Sequence, residues 1–343
     1  MQIALMLNPE EDVRWQLARQ MGVTNAVTRL PTTVSDGTPW ETPALRDLQT
    51  RLEESGLELA VIEGRPPMDK IILGRDGREE QAEAVCTLLE NMGQLGIPVW
   101  CSTFSLDVYR TSREIPGRGG SLVTGYDHEI MNQTDDSPAE MITEGDDWIS
   151  RRPTVSGPPV GPVGTLSEAD LWENMEWFVE RVAPVAEEAG VKMALHPDDP
   201  PISAVNDVAR IATSVENYDR ILSMYDSEYH GITMCQGNFA AMGADVPEAI
   251  RHFGDRVNFV HFRDVVGESH SFTETWHDNG PTDMAAVIEA YSDIGYDGLA
   301  RPDHVPHTAR QQDRGNDGRL FAVGYMRGLL EATARANDGY TAG

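Results

Sequence analysis

Two histidines, a cysteine and an aspartate occupy one recurring position in this 343-residue chain, each at or just after the end of a short apolar run. His196 follows KMAL, Cys235 closes GITMC, His261 follows NFV, and Asp303 follows GLARP. Imidazole, thiolate and carboxylate form a mixed nitrogen, sulfur and oxygen donor set. Such a set suits Fe(II), Zn(II), Co(II) or Mn(II) better than magnesium or calcium. No two of the four are close in sequence, so only their shared placement joins them. His304, next to Asp303, sets an imidazole within reach of whatever is bound there and can carry a proton. Each donor also has an ordinary reading taken alone: a strand cap at His196, a packed thiol at Cys235, a satisfied core imidazole at His261, a helix cap at Asp303.

The elements that could bring them together follow a strand and helix rhythm. Apolar runs predict strands over residues 2–7, 25–30, 57–64, 97–104, 191–196, 231–235, 257–262 and 298–302. Apolar stripes of helical period predict helices near 10–20, 42–55, 77–96, 282–294 and 317–336. Another helix starts at Ser167, paired with Asp170 as a capping box, and stops at Gly190. Eight such strands without a Gly-rich dinucleotide fingerprint predict an α/β fold, a (β/α)8 TIM barrel of one domain over 1–343. All four donors then fall at C-terminal strand ends, the face where such barrels keep their active sites. Residues 105–165, rich in Gly, Pro, Ser and acids, interrupt the rhythm after strand four. They are expected to be an irregular insertion, a lid being one role for it.

Acidic residues number 56 against 27 basic ones, a formal charge of −29, which disfavours nucleic acid and anionic membranes as partners. Lysine occurs only at Lys70 and Lys192, so nearly all the positive charge is arginine. The spread of acids is that expected of a halophilic protein, whose saline cytoplasm screens the self-repulsion. Three scattered cysteines, Cys86, Cys101 and Cys235, make no disulfide framework, and reduced, cytoplasmic conditions are expected. Cys101 is read as a packed thiol and Cys86 as part of its helix. The N-terminus reads as a first strand rather than a signal peptide, and no apolar run approaches a membrane span.

The segments HPDDPP (196–201), Cys235 with Gly237, FVHFRDV (259–265), SFTETWHDNGPTDM (271–284) and RPDH (301–304) resemble the motifs of the mannonate dehydratase family, which has xylose isomerase-like barrels. VRWQLARQMGVTNAVTRL (13–30), GTPWE (37–41) and DVYRT (107–111) extend the resemblance over nearly the whole chain. It implies one divalent metal, Mn2+ or Fe2+ with Co2+ an option, held by His196, Cys235, His261 and Asp303. It also implies dehydration of the sugar acid D-mannonate to 2-keto-3-deoxy-D-gluconate in hexuronate breakdown. The same resemblance makes Tyr325, on the last helix, a second proton carrier beside His304, without deciding which is base and which acid. Arg263 and His277 match positions that face substrate. Asp198, with Asp199, shapes the loop after strand five or recognises a substrate hydroxyl.

By the same resemblance Asn238 is a candidate substrate contact, at a position where the family usually has a small hydroxyl residue, and Val305 and Pro306 follow RPDH where glycine is common. These departures bear on substrate range. The competing readings are a metal-dependent sugar isomerase or epimerase, a dehydratase of a related sugar acid, and a metal-free ligand-binding barrel. Assembly is left open, a homodimer being one option.

Overall fold

The computed structural model describes residues 1–31, 34, 37–106, 111–133, 165–205, 207–309 and 315–337. Its central element is a closed ring of parallel strands: β1 (Gln2–Leu7), β2 (Asn25–Thr28), β3 (Glu58–Glu63), β4 (Val99–Ser102), β7 (Lys192–Leu195), β10 (His230–Cys235), β11 (Val257–Phe262) and β14 (Leu299–Pro302). They follow chain order around the ring, which closes where Gln2 and Ile3 pair with Leu299 and Ala300. Alternation along each strand separates two cores. Ala4, Met6, Val27, Val61, Ala194 and Phe259 fill the barrel, while Leu5, Leu7 and Ile62 face the surrounding helices. Every residue of β10 and β11 is buried, as expected of parallel strands covered on both sides.

The capping signals hold as expected. Ser167 Oγ accepts from the Asp170 backbone N–H at 3.2 Å and starts the helix Glu168–Ala189, which Gly190 ends at φ +69°. The last helix runs over Asn316–Asn337. Cys101 is packed inside the barrel, Cys86 lies half-buried on the helix Arg78–Leu95, and all three cysteines are free. No helix among the described residues is long and apolar enough to cross a membrane.

The stretch expected to be irregular carries regular structure in its first part. β5 (Ser112–Pro116) and β6 (Leu122–Asp127) form a hairpin, followed by a helix at His128–Gln133. With β12 (Val265–Glu268) and β13 (Ser271–Glu274) they make an antiparallel sheet in the order β12, β13, β6, β5. The hairpin escaped the sequence reading because its strands are short and a Gly-rich turn joins them, with Gly119 and Gly120 both at positive φ. Residues 134–164 lie outside the described residues.

An apolar patch that includes Tyr126, Phe272, Ile202, Val205 and Ala241 fixes this sheet to the barrel. Leu122 and His307 exchange two backbone hydrogen bonds of 2.8 Å, fastening the hairpin beside the loop that follows β14. Smaller strands, β8 (Ala204–Val205) and β9 (Val208–Ala209), pair within the loop after β7.

Candidate metal centre

His196 follows β7, Cys235 ends β10, His261 lies one residue from the end of β11, and Asp303 follows β14. The parallel register sets Cys235 beside His261 and His261 beside Arg301. A nitrogen, sulfur or oxygen atom from each of the four donors lies within 4.8 Å of the others, and all four residues are buried.

The nitrogens are sorted by their other contacts. His196 Nδ1 is 2.7 Å from the carbonyl of Pro197, which leaves Nε2 for the centre. His261 Nε2 lies 3.2 Å from Glu63 Oε2, while its Nδ1 has no hydrogen-bond partner among the described residues and faces Asp303 Oδ2 at 3.5 Å. A far nitrogen that meets a carboxylate and a near nitrogen buried without a partner among the described residues are what a metal-ligating histidine would show.

Two buried arginines hold the anionic donors. Arg301 donates to both Glu63 oxygens, at 2.7 and 2.5 Å, and to Asp303 Oδ1 at 2.8 Å. Arg263 Nε lies 3.1 Å from Cys235 Sγ and 3.4 Å from Asp303 Oδ2. Its Nη atoms donate to Glu274, to Asn238 Oδ1, and to Asp199 Oδ2 at 3.1 Å. A Cβ on Gly237 would lie only 3.0 to 3.2 Å from Arg263 Cγ, Nε and Cζ, so the absence of a side chain there admits the guanidinium.

Burial alone would raise the Cys235 thiol, but Arg263 and His196 outweigh it and hold the group well below its ordinary range. Burial likewise opposes the charge on Asp303, and Arg301, His304 and His261 keep its carboxyl well below the usual range. Five acidic groups (Glu63, Asp199, Cys235, Glu274, Asp303) thus face two guanidinium groups in a space shielded from water. The donor types, the unpartnered Nδ1 and the excess of negative charge fit a divalent cation.

His304, at φ +47°, joins this centre with Nε2 at 3.5 Å from Asp303 Oδ2. Beside it, Met6, Val305 and Arg319 line the same cleft. Other sequence candidates have different surroundings. Arg263 is committed to the network just described. Asp198 accepts from the backbone N–H groups of Ile211 and Ala212 and pairs with Arg210 at 3.4 Å, which shapes its loop. Asn238 donates to the Asp198 carbonyl at 3.0 Å and turns Oδ1 to Cys235 Sγ, also at 3.0 Å. His277 is buried and stacked on Phe262, with ring centroids 5.9 Å apart, and burial lowers it to about 4.

Tyr325 packs on Phe321 and Phe262, each with ring centroids 6.3 Å apart. Burial, then Asp278, Asp283 and Asp264, raise its hydroxyl, so the charges that act on it belong to the 264–283 segment. The sequence reading gave no role to Glu63, Arg301 or Glu274. Glu63 ends a barrel strand, a placement that could have singled it out. Glu274 lies within a resembling motif but on a strand whose pairing only the fold reveals.

The D-mannonate dehydratase (UxuA) family model matches residues 1–339. Mannonate dehydratase 2 of Halalkalibacterium halodurans is 33% identical over 337 residues, covering 95% of this chain and 97% of that protein. A mannonate dehydratase of Thermotoga neapolitana is 34% identical over 349 residues, covering 96% and 95%. The crystal structure of mannonate dehydratase from Streptococcus suis superposes with a TM-score of 0.85 at 32% identity, covering 98% of this chain and 96% of that one. D-psicose 3-epimerase from Clostridium cellulolyticum, with a TM-score of 0.60 at 14% identity over 96% of this chain and 99% of that one, shares the fold alone. With a family match over residues 1–339 and relatives above 30% identity, this chain belongs to the D-mannonate dehydratase family.

Proposed function

We infer that this chain is a metal-dependent hydro-lyase that converts D-mannonate to 2-keto-3-deoxy-D-gluconate and water. One observation carries the reading: four buried donors converge at the C-terminal face of the barrel in a chain that matches the family over 1–339. Manganese(II) or iron(II) is the proposed ion, with cobalt(II) as a substitute, and His196, Cys235, His261 and Asp303 would hold it. When bound, such an ion supplies Lewis acidity to the carboxylate and neighbouring hydroxyl of a sugar acid.

The chain's own task is to move two protons. One leaves the carbon beside the carboxylate, and one must reach the departing hydroxyl, because hydroxide leaves poorly without it. His304 is proposed for one transfer, since its Nε2 points toward Asp303 at the centre. Tyr325 is the sequence candidate for the other, and Tyr325→Phe tests it, because normal turnover would remove it from the mechanism. Arg263 and Asn238 are proposed to act through Cys235, which both touch. His277 is proposed to wall the substrate side, and Asp198 to hold the loop after β7. The reaction is proposed to run in the cytoplasm, in line with three free cysteines.

The deciding experiment is turnover of D-mannonate by protein purified in molar salt and loaded with Mn(II), scored by the 2-keto-3-deoxy product, with a chelated sample beside it. Metal-dependent product supports the reading. Absence of product from folded, metal-loaded protein would overturn this substrate and direct the search to related sugar acids and to isomerisation.

A further inference from the structure

The antiparallel sheet attached to the barrel carries a row of aromatic rings that ends in two histidines. Phe272 pairs with Tyr126 and Ser271 with Asp127, so the next antiparallel step sets His270 opposite His128. The His128 backbone N–H donates to the His270 carbonyl at 2.9 Å and continues that register. Residues two apart in extended chain share a face, which puts the pair on the side of Tyr126 and Phe272. Ring centroids step along it: 6.0 Å from Phe272 to Tyr126, 6.2 Å from Tyr126 to His128, and 5.4 Å from His128 to His270. Tyr126 and Phe272 are buried, His128 is half-buried and His270 is exposed, so the row leads from the apolar patch to the margin of the sheet.

The two imidazoles stand nearly perpendicular, at 89°. Each has one nitrogen engaged by a nearby hydroxyl: His128 Nδ1 lies 2.8 Å from the Tyr126 hydroxyl, and His270 Nδ1 lies 3.2 Å from Ser269 Oγ. Nε2 of each ring has no hydrogen-bond partner among the described residues. A hydroxyl that accepts from Nδ1–H leaves the lone pair on Nε2, the form in which neutral imidazole meets a metal. Opposed cross-strand residues have β-carbons about 5 Å apart. Zinc–nitrogen bonds of about 2 Å in tetrahedral geometry need nitrogens about 3.3 Å apart. His270, exposed at the turn between β12 and β13, has room to turn its ring to that separation. Glu129 and Glu268, both exposed near the pair in sequence, and the charge of −29 draw cations to this margin.

We propose that His128 and His270 form a second site for a divalent transition metal, on the outer sheet and separate from the four buried donors. Two imidazoles completed by water suit Zn(II), Ni(II) or Cu(II), and bind Mn(II) more weakly. Bound to both rings, the ion ties the end of β6 to the turn before β13. Glu274, which Arg263 grips, is four residues further along β13, roughly 13 Å of extended chain from His270. The outer site is thus independent of the chemistry at the buried centre.

Calorimetric titration of metal-free, untagged, full-length protein with Zn(II) tests this. Wild type should take two equivalents. His270→Ala and His128→Gln should each weaken the second by at least about 10-fold, with the melting curve of the metal-free protein unchanged as the check on folding. The second equivalent should persist in Cys235→Ser, which alters only the centre. It should also persist in His252→Ala, an exposed histidine whose Nε2 already meets Asp219 Oδ1 at 2.7 Å.

A single equivalent in wild type, or a second one that survives in both His270→Ala and His128→Gln, would overturn the proposal. Loss of the second equivalent in Cys235→Ser or His252→Ala would place that ion elsewhere and overturn it equally.

Discussion

Glu63 Oε2 and His261 Nε2 lie 3.2 Å apart at the ends of β3 and β11, four strands apart in the ring and so on opposite sides of the barrel. The contact spans the mouth and directs Nδ1 of His261 toward the other donors. Burial opposes the charge on Glu63, but Arg301 and His261 outweigh it and hold its carboxyl well below the usual range. The carboxylate is thus ionised at neutral pH and orients the ring as an acceptor.

From this geometry, Glu63→Ala should weaken metal binding by about 10- to 100-fold while leaving the four donors in place. Competition with a chromophoric chelator measures it directly. An affinity equal to wild type would show that Glu63 does not orient His261.

Cys235 and His304 should separate metal binding from proton transfer. Cys235→Ser removes the thiolate that Arg263 and His196 stabilise, so metal content and turnover should fall together. His304→Gln keeps all four donors, so metal content should remain and kcat should fall by about 10²- to 10⁴-fold. Elemental analysis beside steady-state kinetics distinguishes the two. Loss of metal in His304→Gln would make His304 part of the binding shell.

The sequence was most informative where a period could repeat. β1 and β11 match their predicted spans residue for residue, and the strand-end rule singled out four donors before their distances were known. It was silent where function depends on partners rather than type. Glu63 shares the strand-end placement in ELAVIE, but what it does there shows only when Arg301 and His261 are seen around it. Arg263 carries the charge expected of a substrate contact, but only the fold shows that Asp199, Glu274 and Asn238 already engage it. The hairpin over residues 112–127 is legible only through its pairing with β13, a contact more than a hundred residues away in sequence.

At the start of β10, His230 sets a pH limit on stability that is separate from catalysis. Its Nε2 lies 3.0 Å from the Ile221 carbonyl, and its Nδ1 has no hydrogen-bond partner among the described residues. Burial, aided by Arg256, lowers it from 6.5 to about 4, against the opposing pull of the Ile221 carbonyl. Between those values the unfolded chain binds a proton that the folded chain refuses. The stability from neutral His230 is therefore complete above pH 6.5 and is lost as pH falls through about 4. At most this amounts to about 3 kcal/mol. Denaturant titrations at pH 7 and pH 4.5 should show a smaller difference in His230→Gln than in wild type. Equal differences would assign the acid sensitivity to other groups.

The charge of −29 makes a prediction about salt. At 0.1 M the screening length is about 10 Å, long enough for neighbouring surface carboxylates to repel one another, and at 1 M it falls to about 3 Å. Buried pairs such as Arg301 with Glu63 and Asp303 are screened far less, so added salt should relieve repulsion at the surface without dissolving the centre. The melting temperature of metal-loaded protein should rise by roughly 5 °C between 0.1 and 1 M NaCl. The rise should level off once the screening length falls below the spacing of the surface acids. Hofmeister effects on apolar burial continue to grow with concentration, so a climb without a plateau would point to them rather than to charge. A melting temperature that is flat or falling would mean that this acidic surface imposes no appreciable self-repulsion in dilute buffer.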